Sequence, residues 1–196
     1  MITLPAHNII IDLETLSTAP DAAILSVGAI AVDVDRMRIC DDFYSAINPK
    51  QDAWGRKTDP RTLKWWQTEV AFETKQKAFS GTPVLPTVLQ QLRDWMRKVR
   101  GATGAIGVWG NGVAFDNVIL KSAYDECDIP PAWHYRYDRC YRTLASFYPH
   151  IKPEAKNTQP HHALHDALHE ARHFLQIIEH IRKEDTAIHS YRVLHP

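Results

Sequence analysis

Between residues 8 and 48 the chain carries three short apolar runs, each closed by a turn signal, and no other feature limits its fold as much. Residues 8–14 (NIIIDLE) end in acids, residues 24–33 (ILSVGAIAVD) follow a turn containing Pro20, and residues 39–48 (ICDDFYSAIN) are closed by Pro49. Runs of this length, rich in Ile and Val and this closely spaced, predict strands joined as an antiparallel meander. Helical periodicity then takes over. Residues 58–74 predict a helix opened by Thr58-Asp59-Pro60. Residues 83–100 repeat Val84, Val88, Leu92 and Trp95 at helical spacing and stop at Gly101. Residues 105–110 (AIGVWG) read as a buried strand, 114–127 and 138–148 as helices, 151–159 as a polar loop, and 161–183 as the last long helix. Strands first, then helices mixed with further strands, describe an α/β domain with a mixed sheet.

Composition narrows the class. A length of 196 residues suits one domain, 1–196, with a real core. Hydrophobic residues at 44% and charged residues at 23% predict a soluble globular protein. The 23 Lys+Arg balance the 23 Asp+Glu, which argues against a large phosphate-binding surface but leaves room for a small site where metal ions supply positive charge. Cys40, Cys127 and Cys140 are scattered and odd in number, as expected in a reducing cytoplasm. No signal peptide is read at the N-terminus, and no apolar run is long enough to predict a membrane span.

Three acidic motifs carry the chemistry. Asp12 and Glu14 lie two apart on a strand and project to one face while Leu13 points away. Two acids so placed repel unless a cation sits between them, and Mg²⁺ prefers carboxylate oxygen. The plainer alternative is a strand running out into solvent. In WGNGVAFDNVIL (109–120) a strand ends in Gly110-Asn111-Gly112, so Asp116 falls in the first turn of a helix beside the strand's C-terminal end. That is where α/β sheets place ligands, although an acid there also complements the helix dipole. At 161–166 the string HHALHD opens the last helix. Leu164, Ala167, Leu168, Ala171, Phe174, Ile178 and Ile181 cover its buried arc, and Asp166 falls on the rim. His165, His169 and His173 form a neighbouring stripe, either a solvated face or a zinc or nickel site.

In order, these motifs resemble those of the DnaQ-like (DEDD) superfamily of 3′–5′ exonucleases, in its histidine-containing branch. Asp12 and Glu14 match its first motif, Asn111 to Asp116 the second, and His161 with Asp166 the third. HHALHD is similar to the H-x-A-L-x-D of oligoribonuclease. DLETLSTAPDAAILSVGAI and WGNGVAFD, with Trp65-Trp66 between them, resemble a phage and bacterial subgroup that includes T4-type exodeoxyribonuclease A and a mycobacterial exoribonuclease-like domain. The resemblance spans about residues 8–180.

This resemblance implies an RNase H-like fold: a mixed five-stranded sheet of three antiparallel N-terminal strands plus parallel strands, flanked by helices. It implies that Asp12, Glu14, Asp116 and Asp166 hold two divalent cations, Mg²⁺ or Mn²⁺, which activate a water and stabilise the leaving oxygen. His161 would be the general base; His162, one residue too close to Asp166 for the family spacing, is its competitor. Products would be nucleoside 5′-monophosphates from the 3′ end of single-stranded DNA or RNA, with DNA slightly favoured. Thr15 and Leu16 would meet the terminal 3′-hydroxyl and the last base. Asn111 and Phe115 would line the same pocket. Trp65 and Trp66 would stack on bases, although core packing is the better reading for at least one of them. Arg136, Arg139 and Arg142 recur every third residue, where phosphate contact competes with a solvated face or a bridge to Asp138. Relatives are often homodimers. The other classes are a non-catalytic RNase H-like module that binds strand ends, a metal-binding protein built on the histidine stripe, and a classical RNase H that cuts internally.

Overall fold

The computed structural model describes residues 4–52, 55–101 and 104–194. Three antiparallel strands come first: β1 (His7–Thr15), β2 (Ile24–Asp33) and β3 (Arg38–Ala46). A short α1 (Pro49–Asp52), α2 (Pro60–Thr68), α3 (Phe72–Ala78) and α4 (Leu85–Arg100) follow. Then come β4 (Ile106–Gly110), α5 (Asp116–Glu126), β5 (Asp138–Cys140), α6 (Tyr141–Phe147) and α7 (Ala163–Leu194). The five strands lie in the order β3-β2-β1-β4-β5, with β4 and β5 parallel to β1. This is the mixed, helix-flanked RNase H-like sheet that the resemblance implied.

The pleat of β1 decides where the chemistry goes. Ile9, Ile11 and Leu13 pack on one face with Val88, Leu89 and Leu92 of α4 and Ile119 and Leu120 of α5. Ile10 points the other way, onto Ala167, Ala171, Phe174 and Ile178 of α7. Each such buried aliphatic side chain contributes roughly 1.5–3 kcal/mol. Because the period is two, Asp12 and Glu14 continue the Ile10 row and emerge on the α7 face.

Glycine lets α7 come that close. Gly28 of β2 pairs with Asp12, and a methyl group built on it would lie 2.1 Å from the Ala163 carbonyl carbon and 2.3 Å from Leu164 N. The first turn of α7 therefore rests on bare backbone of β2. On the other face, buried Arg56 fastens three segments. Its Nε donates to Ala22 O at 2.8 Å, Nη1 to Glu126 at 2.6 Å and Nη2 to Ile119 O at 3.3 Å. Backbone bonds from Ala23 N to Lys57 O and from Asp59 N to Leu16 O carry this anchorage to the foot of α2.

Three expected elements are corrected. The helix expected over 58–74 is two helices, because the chain turns at 69–71 to drive Val70 into a small cluster with Leu16, Leu25, Trp66 and Ala78. The helix expected over 138–148 begins only at Tyr141. Residues 138–140 instead pair with Val108–Gly110 as β5, and Asp138 is pinned by Lys121, by Asn117 Nδ2 at 3.1 Å and by Trp133 Nε1 at 2.8 Å. The last helix runs from Ala163 to Leu194 rather than 161–183; His161, at φ 65°, lies outside it. Among the described residues, no helix is long and apolar enough to cross a membrane.

Candidate active site

Three distant segments converge at the C-terminal end of β1. Asp12 and Glu14 come from the strand itself. Asp116 is the first residue of α5, 2% exposed, and its Oδ1 accepts a hydrogen bond from Leu13 N at 3.3 Å. Gly110 permits this approach: a Cβ there would stand 2.8 Å from the Asp116 Cβ. Asp166, in the first turn of α7, accepts from His161 N at 2.8 Å and from the Asn157 side chain. In front of them opens a cleft of about 610 Å³, lined among others by Asp12, Glu14, Asp166, His161, Trp65 and Phe115.

The electrostatics of this cluster are unfavourable without a cation. Burial, reinforced by Asp116, Glu14, Glu170 and Asp166, holds the Asp12 carboxyl well above the usual carboxylate range. Burial and the charges of Asp166 and Asp116 push Glu14 up to about 8. Asp116 is raised by burial to about 7 despite its backbone donors. Burial also raises Asp166, against the pull of the His161 N–H and Asn157. Oxygen donors packed so tightly, each penalised for its charge, suit a hard divalent cation. Glu14, His161 and Asp166 each offer a ligand atom within 4.8 Å of the others, and theirs is the metal-competent group among the described residues.

The two histidines diverge. His161 faces the cleft, its ring edge-on to Trp65 at 4.7 Å. His162 is 8% exposed, stacks on Tyr44 at 4.6 Å and meets the edge of His165. Among the described residues, His165, His169 and His173 do not form a metal-competent group. His173 is buried, with Nδ1 sharing a hydrogen with the Tyr141 hydroxyl at 2.7 Å and Nε2 2.9 Å from Ile151 O.

The residues expected to touch substrate separate into two groups. Thr15, Trp65, Trp66 and Phe115 contribute to the cleft wall. Trp66 is nevertheless a core residue, 1% exposed, its Nε1 donating to Thr15 O at 2.9 Å. The Thr15 hydroxyl donates to Ser17 O at 2.7 Å. Leu16 and Asn111 are not on the cleft. Leu16 packs into the Trp66–Val70 cluster, just beyond the point where the β1–β2 register shifts between Glu14 and Thr15. The Asn111 Nδ2 donates to Glu170 at 2.6 Å and its Oδ1 accepts from Arg142 Nε at 3.2 Å. Arg139 donates to backbone carbonyls, and the partner of Asp138 is Lys121 rather than an arginine of the 136–142 series. Sequence reasoning missed Arg61 and Thr62 on the cleft wall, Asn157 on Asp166, and the buried Glu170. Arg61 and Thr62 were legible in principle, since Arg61 lies one helical turn before Trp65.

Solved structures of nucleases share this fold. The nuclease domain of 3′hExo, a DEDDh family member bound to rAMP, superposes with a TM-score of 0.62 at 16% identity, covering 89% of this chain and 92% of that one. E. coli exonuclease I in complex with a dT13 oligonucleotide gives 0.63 at 14% identity over 95% of this chain, which spans 43% of that enzyme. Cell-death related nuclease 4 gives 0.54 at 13% identity, over 89% of this chain and 64% of that one. No curated protein matches in sequence. The model of the 3′-5′ exoribonuclease Rv2179c-like domain matches residues 7–178, from the start of β1 deep into α7 and across all three acidic motifs, so the chain belongs to the Rv2179c-like family of 3′–5′ exonucleases.

Proposed function

We propose that residues 1–196 act as one exonuclease domain, hydrolysing single-stranded nucleic acid from its 3′ end and releasing nucleoside 5′-monophosphates. The carrying observation is that carboxylates from β1 and α7 meet beside His161 at one cleft, with buried Asp116 of α5 close behind them on Leu13 N. Asp12, Glu14, Asp116 and Asp166 would hold two Mg²⁺ or Mn²⁺ ions, which lower the pKa of the attacking water and stabilise charge on the leaving oxygen. His161 takes a proton from that water at a ring nitrogen as its oxygen bonds to phosphorus and the bond to the 3′-oxygen breaks. Its backbone N–H, held by Asp166, keeps the imidazole at the cleft mouth. Trp65 offers a ring face for the terminal bases, a contact worth about 1–3 kcal/mol per base and indifferent to sequence. The family description weights RNA as substrate, whereas the phage-like strings weight DNA, so both belong in the test.

The test is a gel assay with 5′-labelled single-stranded DNA and RNA of one sequence, with Mg²⁺ or Mn²⁺, with EDTA, and with Asp12→Ala. A ladder shortening from the 3′ end, lost with EDTA and with the substitution, is expected. Intact strands under every metal condition would leave a module that only binds strand ends; internal cuts would make the enzyme an endonuclease.

A further inference from the structure

Glu170 is a buried acid that the proposed chemistry does not use. It lies on α7 one turn beyond Asp166, so the two share a helix face. It is 5% exposed, and its charge is felt by Asp12, while the charges of Asp116 and Asp166 are felt by it. One carboxylate oxygen accepts from Asn111 at 2.6 Å; the other, Oε2, is buried with no hydrogen-bond partner among the described residues. Asn111 in turn accepts from the exposed guanidinium of Arg142. Helix packing alone gives no reason for an acid here. An uncompensated buried carboxylate is costly, and an apolar side chain at this buried position would avoid that cost.

We propose that Glu170 is a positioning residue of the cation site: its negative charge strengthens cation binding by Asp12, Asp116 and Asp166, and its bond to Asn111 fixes the β4–α5 connection against α7. The geometry supports both parts. Asn111 opens the connection that delivers Asp116, and Asp166 stands one turn away from Glu170 on α7, so this one hydrogen bond joins the carriers of two acids. The buried free oxygen has no protein partner among the described residues, and the charges felt by Glu170 include those of Asp116 and Asp166, so a cation at those acids or its hydration water would satisfy it. The inference rests on the reading above that these acids hold divalent cations.

The test compares the full chain with Glu170→Gln by titrating Mn²⁺ and following the electron paramagnetic resonance signal of the free ion. Glutamine keeps an acceptor for Asn111, cannot ionise when a cation binds, and places an amide nitrogen where the free oxygen stood. The expected result is Mn²⁺ affinity weaker by about tenfold or more, with a melting temperature in EDTA equal to or above that of the parent chain. Unchanged Mn²⁺ affinity, beside tight binding by the parent chain, would overturn this inference and leave the nuclease reading intact. A parent chain that binds no Mn²⁺ would overturn both. Weakened affinity in the variant of a parent chain that cuts no strand would support the role of Glu170 and sink the nuclease reading instead.

Discussion

Two consecutive histidines show how finely one backbone angle divides a cleft-facing ring from a packed one. His161 sits at φ 65°, in the left-handed region, so the chain swings its ring toward Trp65 and the acids. One residue later His162 has turned inward, and burial lowers its pKa while it stacks on Tyr44. His161→Ala is expected to lower kcat by about a hundredfold or more with little change in melting temperature. His162→Ala is expected to keep most of the turnover and lose about 1 kcal/mol or more of stability with its ring contact. Steady-state rates and thermal melts of both variants decide it, and the opposite pattern would move the base to His162. Asp12, Glu14 and Asp116 were legible because strand period and helix start are local properties. Glu170 was not: in a helical stretch a glutamate reads as a solvated charge, and its burial depends on Asn111, 59 residues away. The burial of Leu16 was not legible either, because its partners Trp66 and Val70 lie some fifty residues away and the β1–β2 register shift beside it has no local signature.

Among the elements, the meander, α4, β4 and α5 follow from periodicity, while β5 does not. A strand of three residues is too short to show a period, and tertiary pins on Asp138 create it. The contact between β2 and α7 is likewise invisible in a pattern, since a glycine in an apolar run looks like any small core residue. Yet it sets the distance between the acids of β1 and Asp166. Gly28→Ala would force its methyl into the Ala163 carbonyl, at a cost of about 1–3 kcal/mol or more. The expected outcome is a lower melting temperature together with weaker Mn²⁺ binding in the protein that remains folded. A variant that melts lower but binds Mn²⁺ like the parent would show that helix placement does not control the site.

For the whole molecule, a net charge of zero conceals a concentrated acidic centre. Unfolded, its carboxyls ionise near their ordinary values, 4.5 for a glutamate; folded, Glu14 and Glu170 hold their protons until about 8 and Asp116 until about 7. Between those limits the native state binds more protons than the unfolded one, so metal-free stability falls as pH rises from about 4.5 to about 8. Under the proposed function, divalent cations held by these acids would replace those protons. In EDTA the melting temperature is therefore expected to drop between about pH 5 and pH 8, and saturating Mg²⁺ should remove most of that drop. A profile flat in both conditions would mean that these acids do not share a desolvated space.

Arg56 has a consequence for how this cleft opens. One buried guanidinium serves the β1–β2 connection, the segment leading to α2, and the helix that begins at Asp116. Swinging α2 outward would strand that charge away from both carbonyls and from Glu126, which costs more than loosening a surface wall otherwise would. The aromatic wall thus has little private freedom: it breathes with the sheet or not at all. Under the proposed function, a strand end that stacks on Trp65 would meet a wall tied to the sheet and to α5 through Arg56, so most of the adjustment would fall on the nucleic acid.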